Sequence, residues 1–436
     1  MRPFRVASAA GIMLLVSVGL LSVTASSPSA AAAVSSASSH WVASWAASPS
    51  DDTWPADSTL TPIPTTLTMQ TIRDVITPHL GGSQLRIHLS NRFDSSPTTL
   101  GHVTVGIQTS GAGATDIQNV TFGGSASVTI PANADVISDP VDLTFAAFTP
   151  LVVSIYVPGL LQGSITKHWA SNATTYYSGA LSGDQTRQAS GSSFTGSMES
   201  WFYVDGLDVE APASTCSVVA FGDSITDGFV AGSTVSIPES TIPDNVNGRY
   251  PDDLQRRLDS ADVPISVVNA GISANELLSS TLSAFTGPSG LSRFGTDALG
   301  QSGVCGVLVL EGINDLGYGG ATPAGLEAGY TQLISQAHAA GLKIWLGTIL
   351  PASNAITDGV FLAPSSDTYR QQVNTWIRTQ TLADGYVDFA AAMQDPSNPS
   401  DLNPAYASVD NLHPNLAGYQ VMANTVPLSV LETALP

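Results

Sequence analysis

Between residues 67 and 210 apolar and polar positions alternate with a period of two. Leu85, Ile87 and Leu89 are separated by Arg86 and His88, and Val103, Val105 and Ile107 repeat the rhythm, as do Leu151, Val153, Ile155 and Val157. Successive side chains of a strand point to opposite faces, so each run predicts a strand with one buried face. Gly81-Gly82, Gly111-Ala112-Gly113 and Gly123-Gly124 supply turns between the runs, and no helical period interrupts them. The pattern predicts an all-β, sandwich-like accessory domain over 67–210, ending in a strand at 201–209. Residues 211–214 then read as a linker. Residues 34–66, rich in Ala, Ser, Pro and Asp around the Trp41-Val42-Ala43-Ser44-Trp45 patch, read as a lead-in segment.

The texture changes at residue 215. Short continuous apolar runs at 216–221, 265–269, 304–310, 343–350 and 386–389 predict strands, and they alternate with helical patterns at 250–258, 324–340, 368–379 and 415–424. That alternation predicts an α/β domain over 215–436 with a parallel sheet covered by helices. Ligands of open α/β sheets bind beyond the carboxyl ends of the strands, which directs attention to the residues just after each run.

Composition narrows the functions available. The chain has 436 residues, 43% of them hydrophobic and 11% charged, with 39 Gly and 27 Pro, which suits a folded, loop-rich protein. Its net charge is -21, and lysine occurs only at Lys167 and Lys343. No basic patch exists to neutralise phosphates, so a nucleic-acid partner is excluded, and an acidic surface favours a neutral substrate over a polyanion. Arg2 and Arg5, an apolar run from Ile12 to Leu21 and Ala31-Ala32-Ala33 predict an export signal over 1–33, cleaved near Ala33. No other apolar stretch approaches the ~18 residues of a membrane span, so a secreted protein without a stable membrane anchor is expected. Two cysteines, Cys216 and Cys305, no HExxH and seven scattered histidines leave a metal site or a cofactor unsupported.

Candidate chemistry collects at the predicted strand ends. The first strand runs into Gly222-Asp223-Ser224-Ile225, where a serine flanked by glycines sits at a strand-to-helix turn, with its hydroxyl exposed and its own N–H free. The second ends at Asn269-Ala270-Gly271-Ile272-Ser273 and the third at Glu311-Gly312-Ile313-Asn314-Asp315. Asp410-Asn411-Leu412-His413 places a carboxylate three residues before a histidine, ahead of the last helix. No GxSxG elbow occurs.

Taken together, these segments resemble the four signature blocks of the SGNH, or GDSL-type, hydrolase superfamily in the same chain order. The blocks are Gly222-Asp223-Ser224, Gly271, Gly312-Ile313-Asn314-Asp315 and Asp410 with His413, and Ile225 stands where Leu is usual. The resemblance covers about 215–430. The preceding β-rich stretch, with Ser90-Asn91-Arg92-Phe93, is similar to the N-terminal region of some secreted bacterial hydrolases of this type. The resemblance implies a three-layer, flavodoxin-like hydrolase fold and a secreted serine esterase that forms an acyl-enzyme without a cofactor. It makes Ser224 the nucleophile, His413 the base and Asp410 the group that orients it. It implies three oxyanion donors, the N–H of Ser224, the N–H of Gly271 and the side-chain amide of Asn314. Asp223 and Asp315, which flank these groups, read as loop-stabilising carboxylates rather than catalysts. Family topology makes the strands of Cys216 and Cys305 neighbours, so a disulfide between them is expected.

The substrate expected is a neutral O-acylated carbohydrate or another small-acyl ester. A lipase or phospholipase acting on longer chains, and a carbohydrate-binding protein with a non-catalytic hydrolase-like domain, remain the alternatives. The Pro- and Ser-rich insertion at 231–247 could shape the substrate pocket. Trp54, Trp169, Tyr176 and Tyr177 could stack on sugars, although core packing is the commoner role of such residues.

Overall fold

In the computed structural model of the chain, the described residues are 39–50, 67–161, 165–234, 245–281, 286–317, 319–355 and 366–436. The expected export signal at 1–33, Trp54 and most of the 231–247 insertion lie outside them. The alternating runs form two antiparallel sheets. One carries, in order, Phe194–Met198, Thr175–Ser178, Leu67–Ile76, Leu151–Leu161, His102–Gln108 and Ala114–Val120. The other carries Ser39–Ala46, Val204–Pro212, Gly82–Ser90 and Asp135–Ile137, with Val141–Phe145 also paired to Gly82–Ser90. Leu85, Ile87 and Leu89 from one sheet and Val103, Val105, Val153 and Ile155 from the other are fully buried in a shared core. Tyr177 packs against that core, and Tyr176 packs on a smaller cluster of Val75, Ala114 and Val152.

The lead-in reading is corrected at Ser39–Ala46, which is a strand. It pairs antiparallel with Val204–Pro212, from Ser39 opposite Pro212 to Ala46 opposite Gly206, and so absorbs part of the linker expected at 211–214. Its side chains serve two cores. Trp45 belongs to the sandwich core, whereas Ala43 and Ala46 pack with Val219, Phe221 and Val268 of the parallel sheet. Two small alanines gave no apolar signal, yet their size lets the strand lie close to a neighbouring sheet. Sandwich and parallel sheet accordingly belong to one compact unit, Ser38–Pro436.

The five parallel strands are Cys216–Gly222, Ile265–Gly271, Val304–Leu310, Lys343–Gly347 and Gly385–Val387. Their spatial order is second, first, third, fourth, fifth, the flavodoxin-like arrangement, with the chain reversing direction of travel at the first strand. Val219 and Phe221 point into a layer with Leu326, Tyr330 and Leu333 of helix Pro323–Ala339. Val218 and Ala220 point the other way, toward Tyr250 and Leu254 of helix Tyr250–Ser260 and Tyr419 and Met422 of helix Leu416–Thr425. The sheet is thus covered on both faces, which is why its strands read as unbroken apolar runs.

Two predicted strands are shorter than expected. The fifth stops at Val387 because Asp388 caps helix Phe389–Met393, its carboxylate accepting the Ala391 N–H. The fourth stops at Gly347. Helix Gly290–Phe294, continued by a π turn at Gly295–Leu299, is absent from the sequence reading, since five residues bounded by glycine and serine present no period. Cys216 and Cys305 are disulfide-bonded, with Cα atoms 5.8 Å apart at the starts of adjacent strands.

Candidate active site

The first parallel strand ends at Gly222, where any side chain would collide with the Leu310 carbonyl and Thr226. Asp223 follows as the N-cap of helix Ser224–Asp227, its Oδ1 accepting the Ile225 N–H at 2.9 Å. Ser224 is therefore the first helical residue. Its N–H belongs to the turn that has no intrahelical acceptor, and no other described residue accepts it. Gly228 closes the helix at φ 95°, against the Arg249 side chain.

The second element of the site is the turn before helix Leu416–Thr425. Asn411 adopts φ 58°, which folds Asp410 back so that its Oδ1 accepts the backbone N–H groups of Leu412 and His413, each at 3.1 Å. Ser408 braces the same turn from both sides, its N–H donating to the His413 carbonyl and its hydroxyl to that of Pro414. His413 Nδ1 lies 2.6 Å from Asp410 Oδ2, and His413 Nε2 lies 2.8 Å from Ser224 Oγ. With the ring proton on Nδ1 facing the carboxylate, Nε2 is left to accept the serine hydroxyl. Phe229 packs on the imidazole at a centroid distance of 4.6 Å, and Tyr419 fixes Phe229 through its carbonyl. Ser224 and His413 are 6% and 5% exposed, enough to meet a ligand and little else.

Burial alone would raise the Asp410 carboxyl. The hydrogen bond and charge of the His413 ring, with the two backbone N–H donors, outweigh it and hold the group at about 2. Behind Ser224 the sign reverses. Burial pushes Asp223 up to about 7 and Asp315 up to about 6, and it pushes Glu311 well above the usual range with Asp223 adding to the shift. Asp315 holds a loop, as expected, accepting the N–H groups of Leu277 and Leu278 at 2.8 and 2.9 Å.

Of the predicted donors, Asn314 lies in helix Ile313–Gly317, 5% exposed, with Nδ2 donating to the Asn275 carbonyl at 2.8 Å. Gly271 is different. Its N–H already donates to Asn269 Oδ1 at 2.8 Å, and a Cβ there would lie 2.3 Å from the Asp227 nitrogen. The physical requirement for glycine at 271 is the close approach of the second strand to the Ser224 helix, which corrects the expectation that this N–H is available to a substrate. Three residues on, Ala274 adopts φ 60°, is half-buried, and has no acceptor for its N–H among the described residues. Its neighbours tie it to both sides: Ser273 donates to Asp227 at 2.7 Å, and the Asn275 carbonyl receives the Asn314 amide. Sequence reasoning did not single out Ala274, because a left-handed alanine leaves no mark in the sequence.

The β-rich region reaches this site as well. His168 Nε2 lies 3.1 Å from Asp227 Oδ1 in the Ser224 helix, with its other ring nitrogen 2.7 Å from the Ser48 carbonyl. Arg249 bridges the same seam, donating to the carbonyls of Asp227 and Ser171. Among the described residues no group of three His, Cys, Asp or Glu side chains is gathered to hold a metal ion.

Residues 220–421 match the model of the GDSL-like lipase/acylhydrolase family. No curated protein matches the chain. Among solved structures, the aryl esterase of M. smegmatis is 16% identical with a TM-score of 0.41, over 51% of this chain and 100% of that one. A carbohydrate acetylesterase from Sinorhizobium meliloti is 15% identical with a TM-score of 0.39, over 50% and 99%. A GDSL-like lipase from Bacteroides thetaiotaomicron is 19% identical with a TM-score of 0.36, over 50% and 88%.

Proposed function

For a chain whose residues 220–421 belong to the GDSL-like lipase/acylhydrolase family, and which is thereby a carboxylic ester hydrolase, we propose a serine esterase that removes a short acyl group from a neutral carbohydrate through an acyl-enzyme. The observation that carries this reading is the unbroken line from Ser224 Oγ through His413 to Asp410, at 2.8 and 2.6 Å. A serine hydroxyl is a weak nucleophile, and this line supplies the base it needs and the carboxylate that orients the base.

Ser224 Oγ attacks the ester carbonyl carbon while its proton passes to His413 Nε2, and Asp410 stabilises the imidazolium that forms. The carbonyl oxygen becomes an oxyanion that accepts from the Ser224 N–H, the Ala274 N–H and the free hydrogen of the Asn314 amide. Collapse breaks the bond to the alcohol oxygen, which leaves with the proton from His413. Water then repeats the sequence on the acyl-enzyme, giving up a proton to His413 and releasing the acid as Ser224 recovers its own.

Two observations support a small acyl group on a neutral alcohol. The net charge of -21 disfavours anionic substrates and anionic lipid surfaces. Exposed large apolar side chains among the described residues are scattered singly, and Val409 is the one adjoining the Asp410 turn, which is little surface for a long chain. Export through residues 1–33 belongs to the same reading. The Cys216–Cys305 bond supports it, since disulfides persist in oxidising compartments, and no helix among the described residues is long and apolar enough to cross a membrane.

The test is a series of p-nitrophenyl esters with C2, C4, C8 and C16 acyl groups, followed by acetate release from an acetylated oligosaccharide. kcat/KM should be highest at C2 or C4 and fall at C8 and C16, and Ser224→Ala should abolish both turnover and labelling by an organophosphonate. A preference for C16 would make the enzyme a lipase. Turnover that survives Ser224→Ala would overturn the mechanism itself.

A further inference from the structure

Helix Gly290–Phe294 lies outside the four signature blocks, yet it delivers one side chain to the underside of the site. Arg293 is 2% exposed, and its guanidinium lies over the Phe221 ring at 4.0 Å. Nη2 donates to the Gly222 carbonyl at 2.9 Å and to Glu311 Oε1 at 3.1 Å. Nη1 donates to the Ala270 carbonyl at 2.7 Å, with Asp297 and the Ser48 hydroxyl more distant at 3.5 and 3.4 Å. Nε donates to Asn275 Oδ1 at 2.9 Å.

These partners are the ends of three neighbouring strands. Gly222 is two residues before Ser224, Ala270 is the last residue but one of the strand that leads into Ala274 and Asn275, and Glu311 is three residues before Asn314. Each strand end carries one oxyanion donor of the mechanism proposed above. The Asn275 contact adds a direct arm, because the carbonyl of that residue receives the Asn314 amide while its Nδ2 donates to the carbonyls of Thr286 and Pro288.

We propose that Arg293 is a positioning residue that fixes the three oxyanion donors relative to one another by holding the ends of the first three parallel strands in a single planar fork. It touches no substrate, being sealed beneath the loops it holds. The chemistry of the side chain suits the task. A guanidinium presents five N–H donors in one rigid plane, whereas an ammonium presents three from a single point and cannot reach Gly222, Ala270 and Asn275 together. Its charge also faces Asp297 and Glu311, each within 1% of complete burial. Donors aimed at a developing oxyanion act through placement, and a displacement of about 1 Å far from the chemistry costs about 100-fold in rate.

The inference rests on Ser224 being the nucleophile, and the experiment separates the two. Arg293→Lys keeps the charge and loses the fork, so kcat per titrated active site should fall about 100-fold with KM within threefold. The second-order rate of organophosphonate labelling should fall by a similar factor, since the tetrahedral adduct occupies the same donors. Asn275→Ala removes the arm from Nε, together with the Nδ2 bonds to Thr286 and Pro288, and keeps the buried charge balance; it should lower kcat about tenfold, again without raising KM, and it decides the matter if Arg293→Lys does not fold. A merely structural role predicts a lower melting temperature with unchanged kcat per site. Folded Arg293→Lys, or in its absence folded Asn275→Ala, with kcat within twofold of the parent overturns the proposal while leaving Ser224 in place. Failure of the parent enzyme to label, or turnover by Ser224→Ala, removes the underlying reading instead.

Discussion

Asn314 has two amide hydrogens and places one of them on the Asn275 carbonyl. The other has no acceptor among the described residues, and the proposed mechanism assigns it to a charge that exists only in the transition state. Asn314→Ala should therefore lower kcat by about 10²–10³ while KM stays within a few fold. The check is kcat normalised by active-site titration, read beside the melting temperature. A variant that melts early yet keeps full kcat would make Asn314 a turn residue and nothing more. At this scale, Ser224, Asp410, His413 and Asn314 were legible because each stands in a short polar run at a strand end or before a helix. Ala274 and Arg293 were not. The first depends on a backbone angle that alanine rarely adopts, and the second on the Gly222 and Ala270 carbonyls, Glu311 and Asn275, which only the finished fold brings together. Gly271 was legible as a required glycine, but the reason for it is the packing of one backbone on another.

Between elements, the bond from Cys216 to Cys305 joins the starts of the first and third parallel strands, at the opposite end of the sheet from Ser224. The two residues are 89 apart in the chain. Closing so long a loop restricts the unfolded chain and contributes up to about 4–5 kcal/mol in the chain-entropy account. Replacing both cysteines by serine should lower the urea midpoint by a corresponding amount and leave kcat unchanged. Loss of activity in a fully folded double variant would show that the far end of the sheet governs the site. The long strands and helices were legible because their periods persist over many residues. Helix Gly290–Phe294 and strand Ser39–Ala46 were hidden for opposite reasons: one is too short to show a period, and the other faces two cores and so shows no polar side.

Across the molecule, buried carboxyls set the pH at which the fold is most secure. Burial raises Asp74 to about 8 against the donors Phe202 N–H and Thr175 hydroxyl, and it raises Asp223 and Asp315 to about 7 and 6. An unfolded chain releases those protons near ~3.9. Between the two values the native state holds more protons than the unfolded state, so stability falls as pH rises from about 4 to about 8. Asp252 behaves oppositely: burial opposes its ionisation, but Arg249 and His79 hold it at about 2, as His413 does Asp410. Their contribution is complete above the unfolded value and disappears as pH drops toward 2. Thermal unfolding followed by circular dichroism should therefore give a higher melting temperature at pH 5 than at pH 8. A rise over that interval would mean that these groups are ionised in the native protein.

The doubly buried strand Ser39–Ala46 also sets a schedule. It leaves the ribosome early, but Ser39 must wait for Pro212 and the Ala43 N–H for the Ser302 carbonyl. Until Val204–Pro212 has been made its backbone has no ladder, and until the parallel sheet is there Ala43 and Ala46 have no core to enter. Contacts so distant along the chain are slow to form, because the entropy of closing the intervening loops is lost before any pairing compensates it. The first described strand therefore pairs only after Val204–Pro212 has been made, and its alanines are covered only once the parallel sheet is there to receive them.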